Sequence, residues 1–155
     1  MKKPLSYRLF GLGKIPGKVR PIIESEEVVV ADEGMGGWFI TRHVNGPGQR
    51  YRNRVEGFSG CLVVTKKRIL CFTYRKRQIN IAVDDAGVSE LRVSLPAADR
   101  LGLAFESSVF RRGWSGLIEF QFRTDQAPLF YDVLVSLGAA DDHTGKPQKQ
   151  GYQHD

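Results

Sequence analysis

The chain has 155 residues, 41% of them hydrophobic and 26% charged, with a formal net charge of +6; this size and balance suit one globular domain around a single core. Its apolar runs fall short of the ~20 residues that span a bilayer, and two cysteines are too few for a disulfide scaffold or a four-ligand zinc site. The opening MKKPLSYRLFGLGKIPGK begins with lysines as a leader would, but Arg8, Gly11, Gly13, Lys14 and Gly17 interrupt its apolar stretch, so the expected location is the cytoplasm.

Residues 1–23 read as a basic N-terminal arm. Its end runs into a short helix expected over 18–26, with Val19, Ile22 and Ile23 on one face and Pro21 in the first turn. EVVVA (27–31) is β-branched and strand-like. Gly34, Gly36 and Gly37 then predict a break or bulge before WFITRHV (38–44) resumes the extended pattern. NGPG (45–48) is a turn signal.

Strands follow at short spacing: CLVVT (61–65), ILCFTY (69–74), INIAV (79–83), SELRVSL (89–95), LGLAFE (101–106) and LIEFQFR (117–123). Cys61 and Cys71 fall inside two of them and are expected to be reduced, buried thiols. In the last strand Ile118, Phe120 and Phe122 alternate with Leu117, Glu119, Gln121 and Arg123, the period of a sheet with one buried face.

The period changes only near the end of the domain. Thr124 or Asp125 can cap a helix, Pro128 suits its first turn, and Ala127, Phe130, Tyr131, Leu134 and Leu137 recur at helical spacing before Gly138 stops it. A helix over about 125–137 is therefore expected, with Phe130, Leu134 and Leu137 in the core. Residues 139–155 carry no apolar period and are expected to form a polar, disordered tail. About seven antiparallel strands and one terminal helix imply a mainly β domain: a small sheet closed on itself, with the helix over one open end.

Catalytic signatures are absent where the sequence comes closest to them. GLGKIPGKV (11–19) has Val19 where a phosphate loop needs Ser or Thr, and Pro16 removes a cradling N–H. GFSGC (57–61) and GWSGL (113–117) lack the last glycine of a nucleophile elbow. His43 is the one histidine before the tail, and Asp84-Asp85 sits in a turn, so neither supplies an acid–base pair. The expectation is a protein that is not an enzyme and uses no cofactor.

GFSGCLVVTKKRILCF (57–72) resembles the G-x-L-x-(V/L)-T-x-x-R-(I/L) hairpin of bacterial pleckstrin-homology-like and GRAM-like domains, and the later segments follow in that family's order. The resemblance covers residues 24–138. It implies a seven-stranded antiparallel barrel capped by the C-terminal helix, with basic loops at one open end that hold anionic head groups.

Charge falls unevenly along the chain. Residues 21–35 contain five acids (Glu24, Glu26, Glu27, Asp32, Glu33) and no base, whereas residues 36–77 contain ten Lys/Arg and only Glu56, a local balance of +9. Such asymmetry favours an anionic partner. Connections in an antiparallel meander alternate between its ends. Lys66, Lys67 and Arg68 therefore belong to one end, as the wet tip of a hairpin. Arg50, Arg52 and Arg54 share the other end with Arg75, Lys76 and Arg77. The family resemblance brings Arg111, Arg112 and Trp114 to that same rim. No lysine stands between Met35 and Arg52, ahead of the (K/R)-x-R triplets, so the resemblance points to a general anionic surface rather than a specific inositol phosphate. The expected partner is anionic lipid, met at the membrane periphery, or an acidic protein segment. The alternatives are an oligomeric or protein-interaction adaptor with no lipid role and, more weakly, a nucleic-acid-binding domain.

Overall fold

The structure, a computed structural model, describes residues 3, 8, 11, 13–51, 53–74 and 76–142, without the side chains of Gln49 and Tyr51. After helix α1 (Arg20–Ser25) come strands β1 (Val28–Gly46), β2 (Gln49–Tyr51), β3 (Arg54–Thr65), β4 (Arg68–Thr73) and β5 (Lys76–Ala82). A 3-10 turn at Ala86–Glu90 leads to β6 (Arg92–Ala97) and β7 (Arg100–Glu106), and another at Ser107–Val109 to β8 (Ser115–Arg123). Helix α2 (Ala127–Ser136) and the short β9 (Ala140–Asp141) complete the described chain.

The strands form one sheet in the order β5-β4-β3-β1-β8-β7-β6-β9, with β2 paired to β1. Every pairing is antiparallel except β6 with β9. The domain is mainly β, as expected, but the path holds eight strands rather than seven and curls into a half-barrel instead of closing. The extra strand comes from Ala140 and Asp141, which sequence composition places in a polar tail.

β1 is the organising strand. Gly34, Gly36 and Gly37 do not break it; a register shift between Asp32 and Met35 absorbs the irregularity, and pairing with β3 resumes at Met35 and Gly60. Gly37 is needed because a Cβ there would stand 2.0 Å from the Gln121 carbonyl oxygen. β3 likewise starts at Arg54, earlier than its apolar run suggests, because Arg54, Val55 and Glu56 pair with Thr41, Ile40 and Phe39.

Two cores lie on opposite faces of this sheet. The larger fills the concave face, where Phe105, Phe120, Phe122 and Phe130 are fully buried. Phe58 packs edge-on against Phe120 and Phe122, at centroid distances of 5.9 and 5.5 Å. The smaller joins Cys61, Val63, Leu70 and Phe72 on the outer face of β3 and β4 to Ile23, with Ile15 and Val19 packed against them. Residues 13–25 therefore cover the sheet, and the short helix expected over 18–26 forms at Arg20–Ser25. This double burial explains why CLVVT and ILCF read as continuous apolar runs.

Helix α2 packs against β6, β7 and β1. Phe130 and Leu134 are buried as expected, while Leu137 is only half-buried. The helix starts at Ala127 with Gln126 as its cap residue, later than the Thr124 or Asp125 expected; Thr124 instead accepts the Gln126 N–H through its hydroxyl at 3.1 Å and donates to Asp32 at 2.7 Å. Gly138, at φ +110°, turns the chain out of the helix. Ala139 is then buried, and the Ala140 and Asp142 amides bond the Leu91 and Val93 carbonyls. Ala139–Asp142 thus belong to the fold; the rest of the expected tail, 143–155, lies outside the described residues.

Candidate functional site

The meander sorts the cations as alternation predicts. β1 pairs antiparallel with both β3 and β8, and β4 with both β3 and β5. The β1–β3, β4–β5 and β7–β8 connections therefore share one rim, and the β3–β4 turn lies at the opposite end. Close contacts confirm the first grouping: Asn45 is in register with Ser115, and a Cβ on Gly46 would stand 2.4 Å from the Trp114 ring. Trp114 is half-buried there, a packing residue of the turn.

At the opposite end the acid-rich segment is paired. Arg68 grips Glu26 through Nε at 2.8 and 2.9 Å and through Nη2 at 2.6 Å, and Thr65 donates to the same carboxylate at 3.0 Å. The Arg68 hydrogen bonds hold the Glu26 carboxyl below its ordinary value, against the upward push of burial. Lys66 pairs with Glu27, Lys3 with Asp32 and Arg20 with Glu33, each at 2.7 Å. The uneven charge of the sequence is thus partly cancelled in space: two cations of the 66–68 triplet serve acids of the 21–35 segment. The rim at the far end keeps its basic character.

Of the residues singled out for that rim, Arg52 and Arg75 lie outside the described residues. Arg50 is exposed on β2 opposite Asn45, whereas Arg54 opens β3 beyond a bend at Asn53, so the two belong to different strands. Arg77 and Arg112 are exposed. Arg54, Lys76 and Arg111 go further and line a cleft of about 580 Å³ at the open end of the half-barrel.

The apolar lining of this cleft belongs to the main core: Val44, Phe58 and Ile118 are buried and Phe39 is half-buried. Trp114 and Tyr74 flank it. One wall ties two strands to the β7–β8 connection, since Arg111 donates to Gln78 Oε1 at 2.5 Å and Gln78 Nε2 donates to Thr73 Oγ1 at 2.8 Å. The Arg111 guanidinium also lies 5.5 Å from the Trp114 ring centroid, a cation–π arrangement. Arg54, placed on the rim by sequence spacing, is ion-paired with Glu56, which also lines the cleft.

Two residues at this end adopt left-handed backbone without being glycine: His43 at φ +54° and Tyr74 at φ +55°. Each such conformation costs about 1–2 kcal/mol. Tyr74 is held by its amide on the Ser59 carbonyl at 2.6 Å and its hydroxyl on the Gly57 carbonyl at 3.1 Å. The bond places its ring at the cleft mouth. Among the described residues Glu27, at φ +60°, is the third of this kind and lies at the other end.

Sequence reasoning found the cations and missed the cleft. Gln78 and Thr73 carry no local signal, because the residues that give them a role lie 33 positions away, at Arg111, or on the neighbouring strand. No protein-family model matches the chain, and no curated protein matches it. Among the described residues no helix is long and apolar enough to cross a membrane.

Proposed function

We propose that this protein is a non-enzymatic binding module of pleckstrin-homology-like type that docks on an anionic membrane surface or an acidic protein segment. The observation that carries this reading is the convergence of three basic connections on one rim, while the acids of residues 26–33 are engaged elsewhere by Arg68, Lys66, Lys3 and Arg20. The meander followed by a terminal helix supports the family resemblance in the same way. Each cation near a charged leaflet contributes about 1 kcal/mol, so the surface supports salt-sensitive, reversible association. Substituting Arg50, Arg77 and Arg112 together by Gln should weaken binding to phosphatidylserine-containing phosphatidylcholine vesicles by ~100-fold. Changing Lys66 and Lys67 to Gln should do little, because exposed charges beyond ~10 Å are largely screened. Equal losses from both sets, or binding to neutral vesicles, defeat the membrane reading. Binding to an acidic peptide but not to vesicles selects the acidic-segment reading.

A second reading, a protein-interaction adaptor, draws on the outer face of the sheet. Trp38 (49% exposed) and Ile40 lie on one side of β1, with Val55 (65% exposed) in register with Ile40. Self-association that is lost in Val55→Glu, seen by sedimentation velocity, would favour it.

A further inference from the structure

The cleft has chemistry that a rim meeting a flat surface does not use. Phe58 and Ile118 are buried and Phe39 half-buried, so a flat sheet of head groups resting on the rim leaves this apolar lining unused. A polyanion would bring no apolar part to that lining, and a neutral hydrocarbon would leave the guanidinium of Arg111 without an anion. The ligand class that answers both is a small molecule with one anionic group and an apolar body. The volume of about 580 Å³ lies within the range of small-molecule sites.

We propose that the cleft binds a small monoanionic amphiphile, an aliphatic carboxylate, with its carboxylate on Arg111 and its chain across Phe39, Phe58 and Ile118. Arg111 suits the head group because its planar fork matches a carboxylate with two parallel hydrogen bonds. Its orientation is set in advance by Gln78 and by the Trp114 ring, so little freedom is lost when an anion arrives. Lys76 adds positive charge at the mouth, and the Glu56 carboxylate is engaged by Arg54. The inference goes beyond the docking role and needs no membrane, although the cleft opens on the same rim.

The two tryptophans make the test direct. Trp38 stands on the outer face and Trp114 in the cleft, so a Trp38→Phe background leaves Trp114 as the sole indole. Titration with decanoate below its micelle concentration should change Trp114 emission saturably, with a Kd below ~1 mM. Decanol should bind at least ~10-fold more weakly, since a charge-assisted hydrogen bond is lost. Arg111→Gln should weaken decanoate by ~10–100-fold, and Lys67→Gln at the far end should leave it unchanged. Should Arg111→Gln not fold, the wild-type thermal midpoint decides: decanoate should raise it clearly more than decanol at the same concentration. No saturable response to decanoate, equal binding of decanol, or an equal loss in Lys67→Gln overturns the proposal. Vesicle binding with no decanoate response keeps the docking reading and removes this one; the reverse result does the opposite.

Discussion

Leu134 and Leu129 occupy one short helix and differ almost entirely in what surrounds them. Leu134 is fully buried in the main core, and Leu129 is 48% exposed. Leu134→Ala removes the γ and δ carbons, worth ~2.4 kcal/mol of transfer at about 0.8 kcal/mol per carbon. A cavity term adds to this, since Phe130, Ala127 and Ala139 hold the neighbourhood and the sheet cannot follow the missing atoms. The expected loss is ~3–4 kcal/mol, within the range of comparable buried truncations. For a chain of this length that lowers the thermal midpoint by roughly 6–15 °C. Leu129→Ala should stay within ~0.5 kcal/mol, because helix propensity barely separates the two residues and exposed changes are small. Urea unfolding monitored by circular dichroism, with the m-value unchanged, is the measurement. Equal small losses in both variants would contradict the burial of Leu134 in the main core.

Three further outcomes are expected. Glu26→Gln should cost ~1.5–3 kcal/mol by breaking the charge-assisted bonds to Arg68; because the folded carboxyl is depressed, its contribution is present above the unfolded pKa and lost as pH falls through the folded one, so thermal midpoints measured from pH 5 downward should fall less steeply in the variant. Truncation after Gly138 should be measurably less stable than truncation after Asp142, since it removes buried Ala139 and the amide bonds to Leu91 and Val93; indistinguishable melting of the two would show that β9 contributes nothing. Cys61, whose thiol burial pushes up to about 12, and Cys71, pushed up well above its ordinary value, should resist iodoacetamide at pH 8 until denaturant is added, and ready labelling of the native protein would contradict their burial.

How far the sequence could be read depended on how local each feature is. The alternation of β8 and the helical period of α2 are carried by neighbouring residues, and both elements appear within a few positions of expectation. The separation of Lys66–Arg68 from the Arg54–Lys76 rim was also legible, because a meander dictates it. β1 was legible in part: its glycines signal a break or bulge, and the register shift between Asp32 and Met35 is the bulge, but that β3 and β8 hold Val28–Gly46 as one strand from both sides is not a local property. Ala139–Asp142 were not legible, because their polar composition conceals backbone bonds to β6. Arg54 and Arg111 were identified as cations, but Glu56, Gln78 and Trp114 determine what those cations can do, and only the folded arrangement brings them together.

The patch between residues 13–25 and the β3–β4 hairpin bears on how this domain can be handled. Ile15, Val19 and Ile23 shield Cys61, Val63, Leu70 and Phe72, and the Gly34 amide is bonded to the Gly13 carbonyl at 2.9 Å. An expression fragment trimmed to begin at β1 would lay bare an apolar strip on the face of two adjacent strands, the kind of surface that drives face-to-face clumping. It would also leave Glu33 without Arg20. A fragment meant to stay dispersed therefore keeps residues 13–25 with the strands, and fusion partners should not be spliced into that segment.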